Sequence, residues 1–321
     1  MRFLPSLGIK PRLYISIKPE SMGGGSNTFA SLFIACARRH GYKIVDRPDK
    51  SDLAVVIAHL ADKGSLERAR DRGTVLLHRL DEHFEKDEDE VRTQKHRKLI
   101  ELNKVCHLTV FQSRFVYENV YPHIRPDNYR VIHNGGDQSR FTPPAQPGPF
   151  IGHVSWGVGD KKRLDLLHEF IEKHPGEQFL LVGRQEESGF DFGMSNVTLA
   201  GKVHQRDIAR HLGRMKMLYF PSENDPCPNT VVEAILCGVP VCYNPKGGTA
   251  ELVLGPEGEN GPAPARCAGL PLNQAEELLN NLPTYRANAL NRPDLHFDKV
   301  FQAYIRAAQL VGFDPQKRRA S

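Results

Sequence analysis

Short apolar runs alternate with longer amphipathic segments along the first half of this 321-residue chain. The apolar runs predict strands at residues 13–17, 53–58, 74–77, 107–111 and 129–133. Between them lie helical patterns at residues 29–39 and 65–71 and a long charged helix after residue 77. Parallel strands are joined by crossover helices and are buried on both faces, so this rhythm predicts a doubly wound parallel α/β sheet.

The pattern breaks at residues 141–149, where four prolines indicate a linker. The same rhythm then restarts, with strands predicted at 151–155, 179–183, 197–200, 217–220 and 239–243 and helices at 164–173, 205–215 and 230–237. We therefore predict two domains, residues 1–140 and 145–294, with a terminal helix at 295–314 that packs back on the first. Open α/β sheets bind ligands beyond the carboxyl ends of their strands, so we expect the site in a cleft between the domains.

Composition narrows the classes of function. The chain is 40% hydrophobic and 25% charged, with a net charge of +5 spread along its length. This charge suits an anionic ligand or a membrane surface, but basic and aromatic residues are not interleaved as in nucleic-acid-binding proteins, so no nucleic acid is expected as a partner. The six cysteines lack CxxC or zinc spacing, and neither a signal peptide nor an apolar run of roughly 20 residues occurs. We expect a cytoplasmic protein whose contact with a membrane, on its inner face, is at most peripheral.

The most informative segment covers residues 219–251, in which a buried strand leads into a loop that carries Glu223 and Asp225. A helix is predicted to begin near Asn229 or Thr230, with these two as capping side chains and Glu233 on the first turn. Unpaired N–H groups at a helix start attract anions such as phosphate, and a carboxylate like Glu233 can accept two ribose hydroxyls. The alternative is an acid that only complements the helix dipole.

This segment resembles the signature of the family 4 retaining glycosyltransferases with the GT-B fold. In that signature an acid, seven residues and a Glu precede Ala-x-x-x-Gly-x-Pro-Val and a Gly-Gly-x-x-Glu loop, and Asp225 and Glu233 have the same spacing. Asp stands where Glu is usual, and Pro-Cys-Pro-Asn at 226–229 replaces the commoner Gly-Phe-Gly. The resemblance covers residues 110–255 well and the first hundred residues loosely. It implies two Rossmann-like domains that face a cleft.

The resemblance also implies roles for these residues. In the family, the acid at Asp225 contacts hydroxyls of the donor sugar, the loop amides from Pro228 to Thr230 approach the sugar and the phosphate, and Glu233 grips the ribose. The donor-binding set predicted in full is Gly24, Gly25, Ser155, Lys161, Lys162, Gly201, Val203, Asp225, Pro228, Asn229, Thr230 and Glu233.

Basic residues at 161–163 follow a glycine-bearing loop and open a predicted helix. Positive charge at a helix N-terminus is locally unfavourable, which favours an anionic ligand here over a merely solvated helix start. Lys162 matches the family's lysine against the donor diphosphate. No Arg stands in the usual place before it, so Lys161 or Arg163 is left to supply the second charge.

Two further segments lie in the predicted first domain. The glycine loop at 22–28, with Gly24 and Gly25, precedes a helix; the family has a Gly-Gly loop there that faces the donor, although flexible turns look similar. Residues 78–82 end a predicted strand, and His78, Arg79, Asp81 and Glu82 are candidates for acceptor or donor-sugar contacts. The predicted catalytic residues are Lys162, Asp225, His78 and Asp81, although a lone His is structural about as often.

The resemblance implies transfer of a hexose from a nucleoside-diphosphate sugar to a hydroxyl of a glycan, lipid-linked or small-molecule acceptor, with retention of anomeric configuration. The acidic run at 85–90 indicates a solvated helix face and not a metal-binding Asp-x-Asp, so we expect neither a metal nor a cofactor besides the donor. The donor base, UDP, GDP or ADP, stays open. Two alternatives also stay open, a noncatalytic nucleotide-sugar or carbohydrate-binding module and a GT-B sugar-phosphate epimerase.

Overall fold

A computed structural model describes residues 10–19, 24–84, 90–255, 257–258, 261–262 and 267–316. Two predicted features fall partly outside this range, namely residues 22–23 of the glycine loop and residues 85–89 of the acidic run. The chain forms two compact units, residues 1–134 with 297–321 and residues 135–296.

The first unit contains six parallel strands in the order β2-β1-β3-β4-β5-β6. The strands are β1 (Arg12–Ile15), β2 (Lys43–Ile44), β3 (Leu53–Ile57), β4 (Val75–Leu80), β5 (Leu108–Phe111) and β6 (Tyr129–Val131). The helices are α1 (Gly25–Arg39), α2 (Lys63–Asp71), α3 (Glu90–Asn103), α4 (Arg114–Ile124) and, after the second unit, α11 (Phe297–Leu310).

Side chains of one strand serve two apolar layers in this unit. Leu53, Val55 and Ile57 of β3 belong to one core, whereas Ala54 and Val56 belong to the core on the opposite face. This follows from the two-residue period of a strand, and it explains why the strand sequence is apolar throughout. Helices α1 and α11 cover the first face, where the rings of Phe33 and Phe301 meet edge to face at 5.0 Å.

The second unit repeats this design with strands in the order β14-β11-β10-β7-β8-β9. Its strands are β7 (Phe150–Ser155), β8 (Gln178–Gly183), β9 (Val197–Gly201), β10 (Met215–Phe220), β11 (Val241–Tyr243) and β14 (Gly269–Pro271), beside a small hairpin of β12 (Glu257–Gly258) and β13 (Gly261–Pro262). Its helices are α5 (Leu164–Lys173), α6 (Ile208–Leu212), α7 (Asn229–Leu236), α8 (Thr249–Leu254), α9 (Ala275–Asn280) and α10 (Leu282–Leu290).

Strand order determines where a ligand can bind in the second unit. The chain moves outward from β7 through β8 to β9 and then returns to the other side of β7 as β10. The connections after β7 and β10 therefore leave the same edge of the sheet in opposite directions, which opens a crevice between them. The first unit has the corresponding point between β1 and β3.

The predicted fold class, two doubly wound parallel α/β sheets, is confirmed, and several boundaries differ. Strand β4 runs to Leu80 and not to residue 77, so that His78 and Arg79 are interior strand residues. The helix predicted at 205–215 is a short 3-10 turn followed by α6, and Met215 already opens β10. The proline-rich stretch belongs to the second unit, where Phe141 is buried in the core. Within the described residues, no helix is long and apolar enough to cross a bilayer.

Candidate functional site

Lys162 and Asp225 meet at the crevice of the second unit. Lys162 ends a 3-10 turn, Asp160–Lys162, in the connection after β7, and Asp225 lies in the connection after β10. The Lys162 Nζ atom is 3.5 Å from Asp225 Oδ2. The structure therefore brings together two residues that the sequence singled out separately, at the place where an open α/β sheet binds ligands.

Asp225 is a largely buried carboxylate. Burial raises the pKa of Asp225, while Lys162 and the backbone N–H of Cys227 act in the opposite direction. An acid whose ionisation depends on one lysine is sensitive to whatever that lysine binds. A ligand phosphate that draws Lys162 away would leave Asp225 available to sugar hydroxyls.

The glycine loop after β11 supports Asp225 through its backbone. Gly248 N–H donates to the Asp225 carbonyl at 2.9 Å. Gly247 has φ +124°, and a Cβ there would lie 3.0 Å from the backbone nitrogen of Asp225. A residue with a side chain at position 247 would have to adopt a strained backbone or displace the loop, so the first glycine of the Gly-Gly pair has a steric reason.

Arg163, one of the two residues proposed to supply the second positive charge of the phosphate site, is ion-paired with two acids. Its guanidinium donates to Asp165 at 2.7 Å and to Glu223. Both carboxylates raise the pKa of Arg163, Asp165 by the larger amount. This guanidinium is shared between two acids, which makes Arg163 part of the framework of the site, whereas Lys161 is exposed.

Helix α7 starts at the predicted position, but its capping differs from the prediction. It begins at Asn229, with Pro228 as the N-cap, and no side chain caps it. Asn229 and Thr230 therefore lie inside the first turn and are not capping residues. Glu233 lies on the second turn and not the first, so it is not the dipole-complementing acid considered above.

Glu233 is a buried acid, with 6% of its surface exposed. Burial raises the pKa of Glu233 to about 8, and the nearby Arg140 offsets this only in part. The Nε and Nη2 atoms of Arg140 are themselves buried without a hydrogen-bond partner in the described part of the chain. A buried carboxyl and a buried guanidinium that are not joined indicate a site that a ligand completes.

The remaining donor-binding candidates of the second unit occupy strand ends. Ser155 ends β7, and its hydroxyl donates to the Gly157 carbonyl at 2.7 Å. Gly201 ends β9 with φ +62° and open space around it. Val203 is half-buried and packs against the core, so its backbone is the part available to a ligand.

In the first unit, Asp81 directly follows β4, and its side chain contacts the first turn of α1. The Ser26 hydroxyl donates to Asp81 Oδ2 at 2.6 Å, and Arg79 Nη1 donates to the same oxygen at 2.6 Å. Gly24 is the N-cap residue of α1 and Gly25 its first residue, both exposed. The helix start thus has a carboxylate beside it, which the sequence did not indicate.

His78 is fully buried, and both of its ring nitrogens are used. Nε2 donates to the Ala58 carbonyl at 2.7 Å, and Nδ1 accepts from the Asn103 amide at 2.9 Å. Burial lowers the pKa of His78 to about 4. This is the setting of a neutral structural histidine, so we correct its interpretation from a strand-end side chain to an interior one.

Acid should destabilise the protein through its buried histidines. Burial lowers the pKa of His78 and of His153 to about 4, from an ordinary value of 6.5. The unfolded chain binds these protons first, so the unfolding free energy should fall as pH drops from 6.5 to about 4, by up to about 3 kcal/mol for each histidine. Thermal unfolding of His78→Gln should lose less stability between pH 7 and pH 5 than the wild type. An equal loss in the two proteins would contradict this assignment.

One group in the described residues, Cys36, His40 and Asp298, has metal-ligand chemistry. The Asp298 Oδ1 atom of this group already accepts hydrogen bonds from the Cys36 thiol at 2.9 Å and from Arg39 at 2.7 Å. Burial strongly raises the pKa of the Cys36 thiol. A neutral thiol and an adjacent guanidinium disfavour the binding of a metal cation here. We therefore interpret these hydrogen bonds as contacts that hold α1 against α11.

Comparison with known proteins finds a family that matches part of the chain. Residues 149–281 match the family described as "Glycosyl transferases group 1". The chain is 31% identical over 160 residues to the Vi polysaccharide biosynthesis protein VipC/TviE of Salmonella typhi, a match that covers 46% of this chain and 26% of that protein. The chain thus spans about a quarter of the length of this relative.

Solved structures share the fold over nearly the whole chain. Anabaena Alr3699/HepE in complex with UDP has a TM-score of 0.69 at 15% identity, covering 94% of this chain and 100% of that one. Sucrose-phosphate synthase from Thermosynechococcus elongatus has a TM-score of 0.68 at 14% identity, covering 95% and 98%. An alpha-glucosyltransferase in complex with UDP-glucose and DNA has a TM-score of 0.67 at 11% identity, covering 94% and 100%.

The fold is therefore that of the GT-B glycosyltransferases. The predicted resemblance to group 1 glycosyltransferases is confirmed, and the family match lies within the second unit.

Proposed function

We propose that this protein is a metal-independent, retaining glycosyltransferase that moves a hexose from a nucleoside-diphosphate sugar to an acceptor hydroxyl. The observation that carries the proposal is the Lys162–Asp225 pair at the crevice between β7 and β10. The family match over residues 149–281 and the GT-B fold support it. Structures with this fold in complex with UDP or UDP-glucose make a uridine nucleotide the first donor to test.

Lys162 and Asp225 bind different parts of the donor. Lys162 faces the diphosphate and stabilises the negative charge that grows on it as the bond to the sugar breaks. Asp225 accepts hydrogen bonds from sugar hydroxyls. The N-terminus of α7, which carries no side-chain cap, adds partial positive charge near the phosphates. Glu233 accepts the ribose hydroxyls in its ionised form.

Transfer with retention then requires no enzyme nucleophile. The bond from the anomeric carbon to the diphosphate breaks, and its electron pair leaves with the diphosphate. The acceptor oxygen bonds to the same face, and its proton passes to the departing phosphate oxygen. In the first unit, Asp81 is the acid available for an acceptor hydroxyl because it is partly exposed, whereas His78 is fully buried inside β4.

Turnover tests this proposal directly. The protein is incubated with UDP-, GDP- and ADP-sugars in turn, and release of the nucleoside diphosphate is followed with water or simple glycosides as acceptors. Proton NMR of the product reports the anomeric configuration. Release of a nucleoside diphosphate from one donor, with retention in the product, is expected. A protein that binds these nucleotides but never turns one over would be a binding module instead.

Chelation should leave the activity intact. We propose that Lys162, Lys161 and the start of α7 neutralise the diphosphate, so that no divalent ion is required in the transition state. The expected initial rate in excess EDTA is within about twofold of the untreated rate, since no stabilising group is removed. Loss of transfer in EDTA that manganese or magnesium restores would contradict this prediction.

A further inference from the structure

Glu223 lies in the same connection after β10 as Asp225, two residues before it, but has no part in the roles proposed above. One of its oxygens, Oε1, accepts from Arg163 Nη1 and lies 3.4 Å from both Asn244 Nδ2 and Lys246 Nζ. Arg163 belongs to the connection after β7, and the other two follow β11. The Glu223 carboxylate, which lies in the loop after β10, therefore contacts both the loop after β7 and the loop after β11.

The charge on Glu223 is held in place by these partners. Burial opposes its ionisation, but Arg163 and Lys246 outweigh burial and lower the pKa of Glu223. Only 17% of its side chain is exposed. Exposed ion pairs contribute little to stability, whereas a half-buried acid with cations on two loops fixes the spacing of those loops.

Backbone hydrogen bonds carry this link to the site residues. Glu223 N–H donates to the carbonyl of Lys161 at 2.8 Å, directly before Lys162. Asn224 N–H donates to the carbonyl of Lys246 at 2.9 Å, directly before Asp225. Glu223 is thus hydrogen-bonded to the residue that precedes Lys162, and the residue after Glu223, which precedes Asp225, is hydrogen-bonded to the loop after β11.

Two residues of this network have left-handed backbones. Arg163 has φ +47° and Asn224 has φ +53°. A residue with a side chain pays roughly 1–2 kcal/mol for such a conformation, so the surrounding contacts must hold it. The side chain of Arg163 is bound at both ends of its guanidinium, by Asp165 and by Glu223.

We propose that Glu223 is a positioning residue that sets the place of the Lys162 ammonium relative to Asp225 and the donor phosphates. The proposal rests on the function proposed above, in which Lys162 and Asp225 bind the donor. Without the carboxylate, the turn that carries Lys162 keeps its backbone bonds but loses its side-chain link to the loops of Asp225 and Lys246. A displacement of about 1 Å at a catalytic group is enough to cost roughly a hundredfold in rate.

A double-mutant cycle tests this role. Glu223→Gln, Lys162→Ala and the double variant are compared with the wild type for UDP affinity by calorimetry and for kcat with the best donor. Glu223→Gln should lower UDP affinity about tenfold in the wild-type background and by less than about twofold in the Lys162→Ala background. The kcat values should show the same non-additivity.

A matched variant controls for the loss of a paired acid. Glu177 is ion-paired with Lys216 and is similarly half-buried, but it precedes β8 at the other end of the strands. Glu177→Gln should change Tm as much as Glu223→Gln does and leave UDP affinity unchanged. If Glu223→Gln does not fold, Arg163→Met removes the same contact from its other side and takes its place in the cycle.

The outcomes separate the two proposals. Equal losses in both backgrounds would overturn the positioning role of Glu223 while leaving the transferase function intact. UDP binding with non-additive losses but no turnover of any nucleotide sugar would retain the positioning role and overturn the transferase function. A wild-type protein that does not bind UDP or any other nucleoside diphosphate contradicts both.

Discussion

Replacement of Lys162 by alanine should lower kcat by about 10²–10³-fold, the effect typical of removing one group that stabilises developing charge. The Lys162 ammonium is 3.5 Å from Asp225 at the crevice of the second unit, and only 31% of its side chain is exposed. Negative charge on the diphosphate grows as the bond to the sugar breaks, so the contact with Lys162 is stronger in the transition state than in the bound donor. The loss should therefore appear in kcat more than in the KM for the donor.

Lys216→Ala is the matched control for this experiment. Lys216 is also half-buried and ion-paired, but it lies at the start of β10, away from the carboxyl end of that strand. It should keep the wild-type kcat. Circular dichroism first shows that both variants fold. Steady-state kinetics with the best donor then measures the kcat of each variant. A folded Lys162→Ala with wild-type kcat would mean that the donor phosphates bind elsewhere.

Replacement of Glu233 by glutamine should stabilise the free protein at pH 8 and above while weakening donor binding. The folded pKa of Glu233 is about 8, against an ordinary value of 4.5. The folded state thus retains a proton that the unfolded chain releases above pH 4.5. The contribution of Glu233 to the unfolding free energy consequently falls as pH rises from 4.5 to about 8. Glutamine does not titrate, so Tm should rise by roughly 2–4 °C for each kcal/mol recovered.

The same substitution should remove a pH dependence of donor binding. Ribose hydroxyls donate hydrogen bonds, so the ionised form of Glu233 is the competent one. Because its fraction rises from pH 7 to pH 9, UDP affinity of the wild type should increase by about tenfold over that range. Glu233→Gln should bind UDP more weakly, by roughly ten- to a hundredfold, because charged hydrogen bonds are lost.

Calorimetry of UDP binding and thermal unfolding at three pH values measure both effects in one set of samples. Ionisation of UDP itself affects both proteins equally, so the comparison between them isolates Glu233. Glu276→Gln, an exposed acid on α9, is the control and should change neither property. A Glu233→Gln variant that is destabilised at pH 8 and binds UDP like the wild type would show that Glu233 is a structural acid.

The sequence brought forward Asp225 and Glu233 as candidates because they lie within one continuous motif. The spacing from Asp225 to Glu233 is local, and the loop and helix that carry them follow from the apolar pattern on either side. The start of α7 was predicted correctly, but its capping was not: Asn and Thr are common capping residues, whereas here Pro228 occupies that position. The sequence also indicated Lys162 but not that Arg163 is paired with Glu223, since that partner is 60 residues away.

In the first unit, tertiary contacts changed the interpretation of both predicted catalytic residues, His78 and Asp81. A strand end at residue 77 would have exposed His78, and the three further residues of β4 bury it against Ala58 and Asn103. Asp81 was identified as an acid at the end of that strand, but its contact with Ser26 at the start of α1 joins residues that are 55 positions apart. No local pattern contains that contact.

The sequence by itself determined the two parallel sheets and the helices that cover them, and it singled out Lys162, Asp225 and Glu233 as the candidates of the second unit. These features depend on periods of two and 3.6 residues and on short spacings, which are properties of neighbouring positions. The tertiary structure decided that β7 and β10 are neighbours, that Lys162 meets Asp225, that Glu223 ties three loops together and that Glu233 is buried enough to hold a proton near neutral pH. Strand order and burial arise from contacts between distant segments, and the free energy of a charge depends on those contacts more than on its sequence neighbours.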